Sequence, residues 1–299
     1  MASNRVDPPM FLSRCYEPSA SLRRYVSRFY VFSAELPDAA QLVDQLLAET
    51  AYVRLLIRGD WQAETAPGEW GTAGSAILFG SNSRPMKVRV KGAFTVIGVG
   101  IRPSGWHTLF GLPAAECADL MLPLDLLWGD AAQRLVGQLS RLSDDVSAIA
   151  WLEAVMRQRL GHIDDQQACS RAWAFEQLTL GGGINRVGHL AECLDMSPRQ
   201  LERFTIENFG HRPKTILRRQ RFLSIATAMR GIGKTPWDVL ASEQFYDQSH
   251  LNREFHRFAG VTPQTFLNEQ TPLLDAGLRL RADALREFRR RSPLLARAA

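Results

Sequence analysis

The sequence has no long hydrophobic run. Its longest apolar stretches, such as residues 95–101, fall far short of the roughly 20 residues that span a bilayer, so no membrane contact is expected. The start of the chain carries Asp7, Pro8 and Pro9 with no apolar segment behind a basic one, so no secretory leader is expected. Cysteine is scarce: Cys15, Cys117, Cys169 and Cys193 lie far apart and form no CxxC pair. That speaks against a disulfide framework or a structural zinc site and fits a reducing cytoplasm. His107, His162, His189, His211, His250 and His256 show neither HxH nor HExxH spacing, so a clustered metal site is not expected. GxSxG and P-loop motifs are absent, and Gly181-Gly182-Gly183 lacks the Lys-Ser/Thr ending of a phosphate loop. No enzymatic activity and no cofactor are expected.

What is present is a chain of 299 residues, 45% apolar and 22% charged, which suits packed cores and excludes wholesale disorder. The length suits about two domains. The net charge of +5 is unevenly spread. From Ile184 onward there are 19 Lys and Arg against 12 Asp and Glu, a net +7; the preceding 183 residues carry 17 against 19, a net −2. A basic half suggests a polyanionic partner, although a basic solvated surface would look the same.

The two halves also differ in periodicity. Residues 51–57 are apolar and β-branched and stop at Gly59-Asp60; residues 76–80 are short and apolar. Met86, Val88 and Val90 alternate with Lys87, Arg89 and Lys91, the period-2 pattern of a strand. Lys91-Gly92 then reads as a turn into residues 93–101. A β-rich sandwich or barrel follows. Beyond Pro103 the period becomes helical, with helices expected at 130–142 and 146–160 that pack on the core and could make a dimer surface. Residues 161–167 read as the linker. Trp61, Trp106 and His107 could line a ligand pocket, with buried aromatic packing as the plainer alternative. Cys193 reads as a core thiol.

An internal repeat is the strongest signal. At a shift of 50 residues, Leu201 matches Leu251, Arg203 matches Arg253, Gly210 matches Gly260 and Pro213 matches Pro263. Thr215 and Leu217 match Thr265 and Leu267. Each copy reads as a helix-turn-helix. In the first, residues 187–194 form a helix, Asp195-Met196 the turn, and Ser197 caps the next helix with Pro198 at its first position and Gln200 completing a capping box. Leu201, Phe204, Thr205 and Asn208 share one face; Arg199, Glu202, Arg203 and Ile206 share the other. In the second copy residues 237–243 are the first helix, 244–246 the turn, and Asp247 caps a helix to Phe258. Leu251, Phe255 and Phe258 face inward, and Ser249, Asn252, Arg253 and His256 outward.

An arginine-bearing outer face is what reading guanine in the major groove requires. The expected base-reading residues are therefore Arg199, Glu202, Arg203, Ser249, Asn252 and Arg253. Residues 213–230 read as one connecting helix of about 27 Å, near the roughly 34 Å between successive major grooves on one face of double-stranded DNA. Arg218, Arg219 and Arg221 on that helix suit phosphate contacts. The tail from Thr271, with Arg289-Arg290-Arg291, reads as a loosely held basic helix.

These residues resemble the AraC/XylS family of bacterial transcription regulators over about residues 171–268. The most specific piece is Phe245-Tyr246-Asp247-Gln248-Ser249-His250-Leu251-Asn252-Arg253-Glu254-Phe255, followed by Phe258, Gly260, Thr262 and Pro263. Asp195 and Gln244 stand where the family usually has glycine, and Thr205 where it usually has an aromatic residue. The segment from Gly98 to Pro103, with Pro123 to Gly129, resembles a poorly characterised sensor type within the family. The resemblance implies an α+β chain: a β-rich, cupin-like N-terminal sensor or dimerisation domain with helices (1–165), an all-α double helix-turn-helix DNA-binding domain (166–270) and a basic helical tail (271–299). It implies Ser197, Gln248 and His250 as further phosphate contacts beside Arg218 and Arg221. Trp61, Arg102, Trp106 and His107 are the candidates for an effector site. RNA polymerase, an unidentified small-molecule effector and a second copy of the chain are the further partners expected. Two functions stay open: an effector-responsive regulator, or a constitutive DNA-binding protein whose N-terminal half only dimerises.

Overall fold

The computed structural model describes residues 10–72, 74–161, 166–180, 184, 186–232, 236–238 and 247–291. The first third of the chain, rich in β-branched and aromatic residues, folds into one antiparallel sheet. Its strands are β1 (Met10–Tyr16), β2 (Val26–Glu35), β3 (Gln41–Leu46), β4 (Tyr52–Ala66), β5 (Glu69–Gly71), β6 (Ala76–Phe79), β7 (Met86–Ile101) and β8 (Met121–Pro123). The order is β1-β2-β7-β4-β6-β8, with β3 paired to β7 and β5 to β4. β7 is the spine: Met86–Lys91 pair with β3, Phe94–Ile101 with β2, and β4 runs along its other edge.

Both faces of this sheet are buried. Side chains alternate along a strand, so Phe29 and Val31 of β2 enter one apolar cluster while Tyr30 and Phe32 enter another. On the first face lie α1 (Pro103–Phe110), α2 (Asp125–Trp128), α3 (Asp130–Leu139) and α4 (Asp145–Leu160), which supply Trp106, Leu135, Leu152 and Met156. The next helices are α5 (Gln166–Leu180), α6 (Val187–Cys193), α7 (Pro198–Phe209), α8 (Pro213–Met229), α9 (Gln248–Ala259), α10 (Pro263–Asn268) and α11 (Pro272–Arg291). The second face of the sheet is covered by α11, whose Leu273, Ala276 and Leu280 join the cluster of Tyr30, Trp61 and Phe94. The fold is α+β, a sheet domain followed by a helical region. Among the described residues, no helix is long and apolar enough to cross a membrane.

Four expectations need correction. The strand at 51–57 does not stop at Gly59-Asp60 but continues to Ala66, with irregular register at Leu56/Arg58 and Arg58/Asp60 that Gly59 absorbs at φ +98°. Lys91-Gly92 is not a turn: β7 passes through it, with Gly92 at φ +62°. The helical tail is not loosely held, because Leu273, Leu274, Leu278, Leu280 and Phe288 are all buried. Cys193 is exposed rather than a core thiol. The linker expected at 161–167 and Gly181-Gly182-Gly183 fall largely or wholly outside the described residues.

The docking of α11 has a polar component from across the chain. Asp44 on β3 is buried, and its Oδ2 accepts from the backbone N–H of Leu273 (2.7 Å) and Leu274 (3.4 Å) at the start of α11. Burial outweighs these hydrogen bonds and pushes the Asp44 carboxyl up from 3.8 to about 6. Between those values the folded chain keeps a proton that the unfolded chain has released. Asp44 therefore favours folding most below about pH 4 and loses that contribution as pH rises through 6, at up to about 1.4 kcal/mol per pH unit. Denaturant unfolding of the wild type and Asp44→Asn at about pH 4.5 and about pH 7 measures this: the wild type's advantage over the variant should shrink at the higher pH. A constant difference would mean that Asp44 does not titrate in this range.

Candidate nucleic-acid interface

The repeat in the sequence is a repeat in space. α7 (Pro198–Phe209) and α9 (Gln248–Ala259) start and end 50 residues apart, and α8 and α10 start at Pro213 and Pro263. Each recognition helix ends at a left-handed glycine, Gly210 at φ +78° and Gly260 at φ +71°. The caps are those expected. The Ser197 hydroxyl accepts from Gln200 N–H, and the Gln200 side chain accepts from Ser197 N–H at 2.8 Å, a complete capping box. The Asp247 carboxylate accepts from His250 N–H at 2.6 Å. In the first turn Asp195 adopts φ +52°, a backbone state that aspartate tolerates in place of glycine.

The faces sort as the wheel requires. Leu201, Thr205 and Asn208 are buried, with Phe204 partly so, while Arg199 and Arg203 are exposed. On α9, Leu251, Phe255 and Phe258 are buried, Ser249, Arg253 and His256 are exposed, and Asn252 is half-buried. Ser197 and Gln248 are exposed at the two helix starts. Glu202 is not free: it pairs with Arg212 at 3.1 Å. Residues 239–246, with the rest of the second unit's first helix, its turn and Gln244, lie outside the described residues; Trp237 and Asp238 are helical.

Two of the α8 arginines expected as phosphate contacts, Arg218 and Arg219, have partners within the protein. Arg218 donates from Nε to both oxygens of Glu254 at 2.9 and 3.2 Å, and from Nη2 as well. Glu254 is 1% exposed and also has His250 Nε2 at 3.7 Å. Arg218 and His250 thus lie against an inward carboxylate that the wheel did not single out. Arg219 is 1% exposed and belongs to the domain junction, where its Nη1 donates to Glu49 O (3.0 Å), Ser81 Oγ (2.7 Å) and Asn82 O (2.8 Å). Arg221 is half-buried. Beside Arg219, His211 Nε2 lies 2.7 Å from Ser81 O; burial and the Arg219 charge hold its pKa below the usual imidazole range.

The four effector candidates are not brought together. Trp61 and Trp106 are buried on opposite faces of the sheet, and the Trp106 indole donates to Leu112 O at 2.7 Å. His107 lies near Glu207 at 3.9 Å. Arg102 alone lines a large cavity, of about 470 Å3. Its walls come from β1, β2, α5 and α11, with Val26, Arg28, Trp173 and Phe288 among them. Arg102 is paired with buried Glu176 of α5 at 3.2 Å, and its guanidinium lies over Trp173 and Phe288 at 5.1 and 4.7 Å. Trp173 and Phe288 carried no signal in the sequence, because both fall in segments whose helical period explains an aromatic residue without a ligand.

A helix-turn-helix domain family matches residues 190–269, and a domain of unknown function (DUF6597) matches residues 14–123. No protein of curated function matches the chain. Among solved structures, ToxT from Vibrio cholerae is similar at 12% identity over 86% of this chain and 97% of that one, with a TM-score of 0.42. ToxT from strain SCE256 with unsaturated fatty acid bound gives the same score at 12% identity, over 86% and 94%. The AraC-like transcriptional activator CuxR is similar at 14% identity over 72% of this chain and 86% of that one, with a TM-score of 0.28. The domain match spans both copies of the capped helix, so residues 190–269 form a helix-turn-helix domain, within which the run from Phe245 to Phe255 with Gly260 and Pro263 resembles that of AraC/XylS transcription regulators.

Proposed function

We propose that the chain is a sequence-specific regulator whose DNA affinity responds to a small-molecule effector. The observation that carries the DNA-reading part is the 50-residue register of two capped helices that present Arg199 and Arg203, and Ser249 and Arg253, to solvent at matching positions. Side chains at these positions can reach base edges in two successive major grooves, with Ser197 and Gln248 at the helix starts suited to phosphate. Arg203 is the principal reader of the first unit. Arg203→Ala should cost about 1–3 kcal/mol in operator affinity and relax preference at one base pair. Binding-site selection on the wild type and the variant measures both. Unchanged base preference would remove α7 from the groove.

The effector belongs in the 470 Å3 cavity, a volume within the range of small-molecule sites. Its walls combine the sheet, the first helix of the helical region and the last helix of the chain, so a ligand there touches both halves. A metabolite library screened by thermal shift on the full-length protein, followed by operator binding, tests this. A ligand that raises the melting temperature and shifts operator affinity, typically by about 1–3 kcal/mol for an effector, supports the sensor. No such ligand across a broad library leaves the constitutive reading, in which the sheet domain only dimerises. Val146 at the start of α4 and Leu126 on α2 are 71% and 70% exposed, which suits a dimer surface on that face. The reading needs no cofactor, takes RNA polymerase as the downstream partner, and places the protein in the cytoplasm.

A further inference from the structure

We propose that a second, smaller cavity, between the inner face of the sheet and helices α8 and α11, is a binding site for a small oxyanion, a carboxylate or a phosphate group, held by Arg54. The cavity measures about 50 Å3 and is lined by Arg28, Tyr52, Arg54 and Trp61 of the sheet, by Leu223 of α8 and by Leu278 of α11. It is distinct from the 470 Å3 cavity, with which it shares Arg28.

The argument starts from an uncompensated charge. Arg54 is 6% exposed, and a guanidinium cannot shed its proton in a protein. Its neighbours are aromatic: its charge lies 4.3 Å from the Trp61 ring, 5.0 Å from Phe79 and 5.3 Å from Tyr52. The Nε and Nη1 of Arg54 are buried without a partner. Of the other two arginines at the cavity, Arg28 is already balanced by Glu49, which also lines it and both of whose oxygens accept from Nη2 at 3.0 Å, while Arg281 donates from Nη2 to Gln220 Oε1 at 2.6 Å. No carboxylate pairs with Arg54 among the described residues. A buried, unpaired charge is among the costliest features a fold can carry.

The orphaned atoms then fix the sign and chemistry of the occupant. Four buried nitrogens on residues lining this cavity lack a partner: Arg28 Nε, Arg54 Nε, Arg54 Nη1 and Trp61 Nε1. All four are donors. The orphaned buried acceptors among the described residues, on Ser27, Asn82, Glu176 and Asp275, belong to residues that do not line it. Water would satisfy donors here but would leave the Arg54 charge unneutralised. A group with lone pairs and negative charge can accept from these donors and neutralises Arg54. The volume exceeds the roughly 30 Å3 of one water and limits the occupant to a head group or a small ion. Because the lid of the site is made by Leu223 and Leu278, an anion there ties the sheet to α8 and α11.

Thermal unfolding of the full-length protein at fixed pH tests this, with sodium acetate and sodium phosphate each compared with sodium chloride at equal ionic strength. The expected result is a saturable rise in melting temperature with at least one oxyanion and none with chloride. Acetate alone marks a carboxylate site, phosphate alone a phosphate site. Arg54→Met should abolish the saturable response or move its midpoint more than tenfold. If that variant does not fold, Trp61→Phe, which keeps the stacked ring and removes one donor, should move the midpoint severalfold. Absence of a saturable response in both arms, or an unchanged midpoint in the variant that folds, overturns the proposal. The readout involves no DNA and no effector, so it stands or falls apart from the function proposed above.

Discussion

Arg219→Ala should destabilise the protein by about 3–5 kcal/mol and split its unfolding into two transitions, one for the sheet domain and one for the helical region. The side chain sits on α8, between the two helix-turn-helix units, yet it is 1% exposed and reaches into the loops of the sheet domain. One nitrogen serves three acceptors there, two of them backbone carbonyls. Burial pushes its pKa down to about 10, the Glu49 charge working against that, so Arg219 stays a cation at neutral pH. Truncation leaves those acceptors without their donor and opens a void beside Phe222 and Leu223, which are themselves buried. Arg219→Lys keeps a charge and three rotatable donors and should recover part of the loss. Urea unfolding followed by near-UV and far-UV signals separates the outcomes. A single transition displaced by less than about 1 kcal/mol would show that apolar contact, from Leu47 and Ala48 against Ile225 and Ala226, holds the halves together without the arginine.

That junction marks the limit of what the sequence could disclose. The recognition helices were legible because two copies constrain each other: a cap, a buried face and a terminal glycine had to recur at one interval, and they do at Ser197/Asp247 and Gly210/Gly260. β7 was legible from Met86 to Val90 because alternation holds there. β3 was not, because its residues reverse the usual rule. Val43 is 52% exposed while Asp44 points inward, where it caps a helix 229 residues further along. Burial of individual arginines in the second half leaves no mark in the sequence. Arg219 and Arg281 are buried, and only a neighbour distant in sequence explains either. The tail's helical period was visible, but not the sheet face that it covers. Trp61 and Trp106 were grouped by residue type, whereas the face of the sheet on which each lies depends on register and on the connection through α1.

Glu254→Ala should cost about 3 kcal/mol and weaken base reading by the second unit while leaving the first unit intact. In the repeat, Glu254 occupies the position of Phe204. The first unit packs that side chain partly against Phe209 and its neighbours. The second unit instead places a carboxylate inside, at 1% exposure, and neutralises it with Arg218 from the connecting helix. Removing the carboxylate strands Arg218, which is only 24% exposed, and frees α9 to pivot on Phe255 and Phe258 against Phe222. Ser249 and Arg253 ride on that helix, so their geometry toward a base edge loosens with it. An apolar exchange of the pair, Arg218→Met with Glu254→Leu, removes both charges at once and should restore most of the stability. The double-mutant cycle then gives the coupling of the pair, and footprinting of the operator shows which half-site is lost. If Glu254→Ala weakens both half-sites equally, the ion pair supports the whole helical region rather than α9. If the apolar pair restores stability and not base preference, the ion pair sets the orientation of α9 as well as its attachment.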